Sequence, residues 1–123
     1  MKVKIIIEIV GSPKEHIEEV MKQLVEKIKE EKKLLKYNIF EAQEKDKLFF
    51  TFTEIDMGFE NMEELIGFCF DYMPSSVEIL DEHEIKIKRE EIENVTNDLL
   101  AKLHEYDMVL KNLKAELILA KKS

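Results

Sequence analysis

The chain has little of several things. Among 123 residues there is one cysteine, no tryptophan and a single arginine, Arg89. One thiol, Cys69, permits no internal disulfide, so a reducing, cytoplasmic setting is expected. With Arg89 alone, bidentate capture of phosphate or carboxylate is almost closed off. Positive charge is outnumbered, 19 Lys and Arg against 27 Asp and Glu, for a net charge of −8. Nucleic-acid binders need basic surface to neutralise phosphates, so no nucleic-acid partner is expected. No apolar run approaches the roughly 18 residues of a membrane span, so no membrane partner is expected either. The opening MKVKIIIEIV is interrupted by Glu8 and followed by no small-residue cleavage site, and it reads as a strand rather than a signal peptide. There is no internal repeat and no low-complexity segment.

What remains is 45% hydrophobic, enough for one domain with one core. The Lys, Glu and Ile bias with little Gln fits a heat-adapted source, and an AT-rich genome gives part of the same bias.

The densest apolar stretch, Asn61 to Leu80, organises the rest. Asn61 is the expected N-cap of a helix, with Glu64 reaching back to its N–H. Met62, Leu65, Ile66, Cys69, Phe70 and Met73 form a stripe at helical period, widened by Phe68 and Tyr72. Pro74 ends the helix, and Val77 and Ile79 begin an alternating strand.

Upstream, strand one spans Lys2 to Val10, with Val3, Ile5, Ile7 and Ile9 on one face. Ser12 caps a helix that carries Pro13 in its first turn, Glu15 at N3 and a stripe of Ile17, Val20, Met21, Leu24, Val25 and Ile28. The helix dissolves in the charged run Lys29 to Lys33. Strand two, Leu34 to Gln43, and strand three, Lys47 to Ile55, are joined by a hairpin loop Glu44-Lys45-Asp46. Strand four runs from Ser76 either to Lys88 or to a break at Asp81-Glu82-His83-Glu84, resuming at Ile85 and Ile87.

The order β-α-β-β-α-β predicts an α+β, ferredoxin-like two-layer sandwich over residues 1–88, with a long additional helix over 89–123. The sheet face away from the helices is expected to hold Ile6, Phe49 and Ile55. Along the tail, Ile92, Val95, Leu99, Leu103, Tyr106, Leu110, Leu113, Leu117 and Ala120 follow steps of 3, 4, 4, 3, 4, 3, 4 and 3, close to a heptad rhythm. This helix is expected to pack on the open sheet face, on a partner subunit, or on both. Self-association as a homo-oligomer, most simply a dimer, is assigned to Leu103, Tyr106, Leu110, Leu113 and Leu117.

No catalytic signature is present, and the leading reading is a non-enzymatic interaction or regulatory module without a cofactor. Three local features bear on chemistry. Gly11, Ser12 and Glu15, at the turn into the first helix, could receive an anionic small molecule. Asp81 and His83 alternate and could form half of a divalent metal site, for a metal-binding protein or enzyme; such polar runs are otherwise exposed turns. Cys69 sits on a buried stripe with no His or Lys within one turn, the setting of an inert thiol. His16 reads as solvated and His104 as partly packed. The run Lys47-Leu48-Phe49-Phe50-Thr51-Phe52 lies where RNA-recognition domains carry stacking aromatics, but it lacks their glycines, and its phenylalanines read as core.

Three resemblances go beyond these patterns. Val10-Gly11-Ser12-Pro13 resembles the strand-to-helix turn of ACT domains, which implies small-molecule sensing at that turn. Tyr72-Met73-Pro74-Ser75-Ser76-Val77-Glu78-Ile79-Leu80 resembles the end of the C-terminal extension domain of WYL-type regulators, which implies a ferredoxin-like fold. The chain has neither the WYL core nor a DNA-binding helix-turn-helix, so regulator function does not carry over. In layout and Lys/Ile/Glu bias the whole chain is similar to small conserved proteins of unknown function from methanogenic archaea, a resemblance that implies no activity.

Overall fold

A computed structural model describes residues 1–122; residue 123, the last of the tail segment, lies outside the described residues. The elements run β1 (Lys2–Gly11), α1 (Lys14–Glu31), β2 (Leu34–Ile39), β3 (Gln43–Lys45), β4 (Leu48–Gly58), α2 (Met62–Tyr72), β5 (Ser76–Ile79) and α3 (Arg89–Lys122). The chain divides into two compact units, Met1–Ile85 and a second that begins at Lys86.

The first unit is the ferredoxin-like α+β sandwich. Its sheet has the order β2-β4-β1-β5, with β3 extending the β2 side of β4, and every neighbouring pair is antiparallel. One face is covered by α1 and α2. Val3, Ile5 and Ile7 of β1 and Ile55 and Met57 of β4 point into that layer. They meet Ile28 of α1 and Leu65 and Phe68 of α2 in one buried cluster. Along α1 the buried residues are Ile17, Met21, Val25 and Ile28, the stripe that the 3.6-residue period predicts.

Register decides which side chains reach the core. Ile5 pairs with Ile55, and Val3 with Met57, so odd-numbered residues of both strands share the helix face. Ile55 is therefore fully buried under the helices, not on the open face. Phe49, opposite Gly11, falls on the helix side too. The open face holds Ile6 as expected, and beside it Val10, Phe50 and Phe52. The threonines explain the choice. Thr51 Oγ1 donates to the Phe40 carbonyl at 2.6 Å and Thr53 Oγ1 to the Asn38 carbonyl at 2.8 Å. With their hydroxyls satisfied by a carbonyl of β2 and by that of Phe40 just beyond it, both can be wholly buried. Phe50 and Phe52 are then turned outward and half-buried, which corrects their reading as core. Phe52 stacks on Phe40, ring centroids 4.3 Å apart. Glu8 lies directly across from Phe52, which puts negative charge beside this aromatic pair.

Several local expectations are corrected. The β3–β4 connection is two residues, Asp46 and Lys47, both at positive φ (52° and 70°), the twist that two-residue hairpins require. Glu44 and Lys45 are strand residues, so the loop is shorter than expected. Helix α1 begins at Lys14 with Pro13 as N-cap, after a cis Ser12–Pro13 bond. Ser12 is thus one residue too early to cap it, and the His16 and Ile17 amides bond to the Pro13 carbonyl instead. Helix α2 is capped as expected, with Asn61 Oδ1 accepting from the Glu64 amide at 2.8 Å. Glu64 Oε2 accepts from the Glu60 amide, one residue before the expected donor. The buried face of α2 is Leu65 and Phe68, flanked by Met62, Cys69 and Tyr72, whereas Met73 is exposed at the left-handed C-cap. This helix is apolar almost all round, so periodicity alone does not choose its inner face. Strand β5 stops at Ile79, and no strand resumes at Ile85 or Ile87.

The second unit is dominated by α3, a 34-residue helix with acidic residues in its first turn and Lys121 and Lys122 in its last, each sign favourable to the helix dipole. No helix among the described residues is long and apolar enough to cross a membrane.

Candidate functional site

Two features of the molecule are not explained by the folding of the sandwich. The first lies where α1 runs into β2. The run that closes α1 carries Lys29, Lys32 and Lys33, and Lys36 follows on β2. With Leu34, Leu35 and Tyr37 they line an open groove of about 520 Å³. That volume falls within the range of small-molecule clefts. Lys29 Nζ donates to the Tyr37 hydroxyl at 2.7 Å and stands 4.2 Å from the ring centroid. The hydrogen bond to that phenol holds the Lys29 ammonium above its usual pKa. Lys29 also pairs with Glu26 at 3.3 Å, and Lys32 with Glu64 at 4.0 Å.

Strand β2 is an edge strand, and Leu35 is the extra residue of a bulge between Leu34 and Lys36. Lysines and a bulge on an edge discourage pairing with another chain. Edge protection therefore accounts for part of this arrangement. It does not by itself explain why four lysines line one groove in a protein of net charge −8, although Lys29, Lys32 and Lys36 each hold an acidic partner. The sequence signal was present in the Lys29 to Lys33 run, but Lys36 is brought to the same groove by the turn from α1 into β2.

A smaller cavity of about 170 Å³ lies on the open sheet face between Lys4, Lys36, Tyr37, Asn38, Glu54 and Asp56. It is organised by Asp56, whose side chain is only 12% exposed and lies 3.6 Å from Lys36 Nζ. Lys4 is its register partner on β1. A buried carboxylate needs compensation, and Lys36 supplies it.

The expected sites are separate from this groove. At the turn into α1, a Cβ on Gly11 would come within 3.0 Å of Ile17 Cγ2, so the glycine permits close strand–helix packing. Ser12 and Glu15 are exposed. Lys14 and Glu41 pair at 2.7 Å, raising the pKa of the lysine and lowering that of the carboxyl through the shared hydrogen bond. Glu18 accepts from the Ala42 amide at 3.2 Å. These contacts tie the start of α1 to the β2–β3 connection.

Asp81 Oδ1 accepts from the Lys2 amide at 3.0 Å, a contact that anchors the start of β1. His83 is exposed in the non-strand segment that follows β5. Among the described residues no three His, Cys, Asp or Glu side chains gather as a metal site would need. His16 and His104 are also exposed. Cys69 is half-buried, and burial pushes its thiol up, away from the reactive thiolate. Tyr72 donates its hydroxyl to Glu31, joining α2 to the last turn of α1. Burial, followed by the Glu31 carboxylate, pushes that phenol up to about 12.

The second unexplained feature is α3. None of its described residues is buried. Leu103, Leu110, Leu113 and Leu117 are 54–56% exposed and Tyr106 45%. Ile92 and Leu99 extend the same seam, while Leu100, Met108, Val109, Ile118 and Leu119, also exposed, lie off it. A helix of this length spans about 51 Å at 1.5 Å per residue. An apolar strip along it, on the order of 500 Å² if about 10 Å wide, reaches the upper part of the range of the largest patches that isolated soluble chains expose.

No curated protein and no solved structure matches the chain. A protein-family model does match it, over residues 2–120, which takes in the whole sandwich and nearly all of α3. The chain belongs to the MJ0538 family, a small conserved family of unknown function.

Proposed function

We propose that this protein is a non-enzymatic interaction module: a ferredoxin-like domain that self-associates as a homodimer through α3. The observation that carries the reading is the seam Leu103, Tyr106, Leu110, Leu113 and Leu117, helically periodic and about half exposed throughout. The hydrophobic effect disfavours leaving such a strip in water, at roughly 25 cal/mol per Å² of apolar surface. A second copy offers the same strip, and two-fold pairing is the commonest way for one patch to cover itself. The reading is tested in the full chain with Leu110→Glu. Light scattering should give twice the chain mass for the native protein and a single chain for the variant. An unchanged mass in the variant would remove the seam from the interface.

A second reading, a sensor of anionic small molecules, is favoured by one observation: four lysines line the α1–β2 groove. It moves the expected ligand site from Gly11, Ser12 and Glu15 to Lys29, Lys32, Lys33 and Lys36. Pyrophosphate and nucleoside triphosphates should raise the melting temperature of the native protein and leave a Lys33→Glu/Lys36→Glu variant unmoved. No shift in the native protein at millimolar ligand would dismiss it.

A further inference from the structure

The direction in which two α3 helices meet can be read from spacing and charge. We propose that α3 pairs with α3 of a second copy in parallel and in register, as a two-stranded coiled coil. The proposal rests on the self-association reading and adds to it an orientation and an alignment.

The seam is irregular at one place. In the register of the heptads that follow, Leu99 to Leu103 is a regular step of four, but Val95 to Leu99 is also four where a strict heptad would require three. Steps of 3, 4 and 4 make an eleven-residue repeat, which unwinds the left-handed supercoil that the heptads from Leu103 to Ala120 favour. In a parallel, in-register pair the irregular step lies beside its own counterpart, so both helices unwind together. An antiparallel pair must give something up. With full overlap centred near Tyr106, the irregular step Val95–Leu99 faces the heptad segment from Leu113 to Leu117 on the other helix. If the heptad segments are kept together, Ile92, Val95 and Leu99 are left without a facing partner.

The flanking charges support the same alignment. With Leu103, Leu110 and Leu117 at position a, and Tyr106, Leu113 and Ala120 at d, the g positions are Lys102, Val109 and Glu116. The e positions are Asp107, Lys114 and Lys121. In a parallel pair each g residue meets the e residue five places later on the other helix. Lys102 then meets Asp107, Glu116 meets Lys121, and Val109 lies along the aliphatic stem of Lys114. No like charges meet. Asp107 already holds Lys111 of its own helix at 2.8 Å through one carboxylate oxygen, which leaves the other for Lys102 of the second copy. A slip of one heptad would set Lys102 against Lys114. The available surface is sufficient: a strip about 51 Å long and about 10 Å wide projects on the order of 500 Å². That projected area is of the same order as the roughly 800 Å² per partner of a standard interface.

The test is cysteine cross-linking in the full chain, with Cys69→Ala as the background. Leu117→Cys and Leu103→Cys are each oxidised with glutathione disulfide and run without reductant. Parallel, in-register pairing brings each cysteine beside its own copy, and both variants should give disulfide-linked dimers. In the fully overlapped antiparallel pair, Leu117 lies about 33 Å along the helix from its counterpart and cannot cross-link. Glu116→Lys should weaken the dimer about tenfold, and Lys121→Glu in the same chain should restore it. A native chain that sediments as a monomer overturns the self-association reading itself. A native dimer in which Leu117→Cys fails to cross-link overturns only the parallel alignment, and a native trimer overturns the two-stranded form.

Discussion

Along α1, Ile17, Met21, Val25 and Ile28 recur at helical spacing and are at most 2% exposed. Along α3, Leu103, Leu110, Leu113 and Leu117 recur as regularly and lie more than half exposed. The two helices share the same kind of pattern, an apolar stripe with charged residues elsewhere. Within its own unit, α1 faces a sheet whose inner face carries Val3, Ile5, Ile7, Ile55 and Met57, with the threonine hydroxyls of the same face satisfied. Periodicity therefore identifies a face that is to be buried, and the partner has to be found elsewhere. On the present account the partner of α3 is a second copy.

This contrast predicts different responses to mutation. Met21→Ala empties a fully buried site and should cost about 2–5 kcal/mol in denaturant unfolding, at any protein concentration. A cost that grew with concentration would place α1 in an interface. Thr53→Val keeps the shape but leaves the Asn38 carbonyl without its side-chain donor, and should cost about 1–3 kcal/mol. Asn61→Ala removes the side-chain cap of α2 and should cost about 1 kcal/mol by the same measurement.

Alkaline titration gives a smaller effect. The Tyr72 phenol is raised from its ordinary 10 to about 12 in the folded protein. Its contribution is complete below pH 10 and is lost as pH rises through that window, because the unfolded state gives up the proton first. Tyr72→Phe should abolish this part of the alkaline decline in melting temperature, and an unaltered decline would exclude the phenol as its source. The smallest effect is expected from Leu110→Ala at high dilution. There the chain is monomeric and the side chain contacts mainly water, so the change should stay within about 0.5 kcal/mol. At concentrations where the dimer forms, the same variant should fall below the native protein in melting temperature.

Much of the sandwich was legible because local rules agree there. The stripe of α1, the Asn61 cap and the antiparallel strand order follow from spacing and short-range chemistry. The inner face of β4 was not legible, because phenylalanines and threonines alternate along it. The Phe40 and Asn38 carbonyls that allow Thr51 and Thr53 inside lie more than ten residues away in the chain. The inner face of α2 was hidden for a related reason, since Phe68 and Phe70 are equally apolar and only the sheet distinguishes them. The hairpin turn lacked its usual glycine: Lys47 stands at φ 70°, where sequence preference gives no warning. Of the candidate sites, the seam on α3 was fully visible from its spacing. The lysine groove was visible only as a charged run, because its fourth member is brought in by the turn into β2.

The most direct test of the account is the sedimentation-equilibrium mass of the native full-length chain across a wide concentration range. The account predicts convergence on twice the 14.6 kDa chain mass at micromolar concentration and above, with dissociation on dilution. A constant 14.6 kDa at every concentration would contradict it.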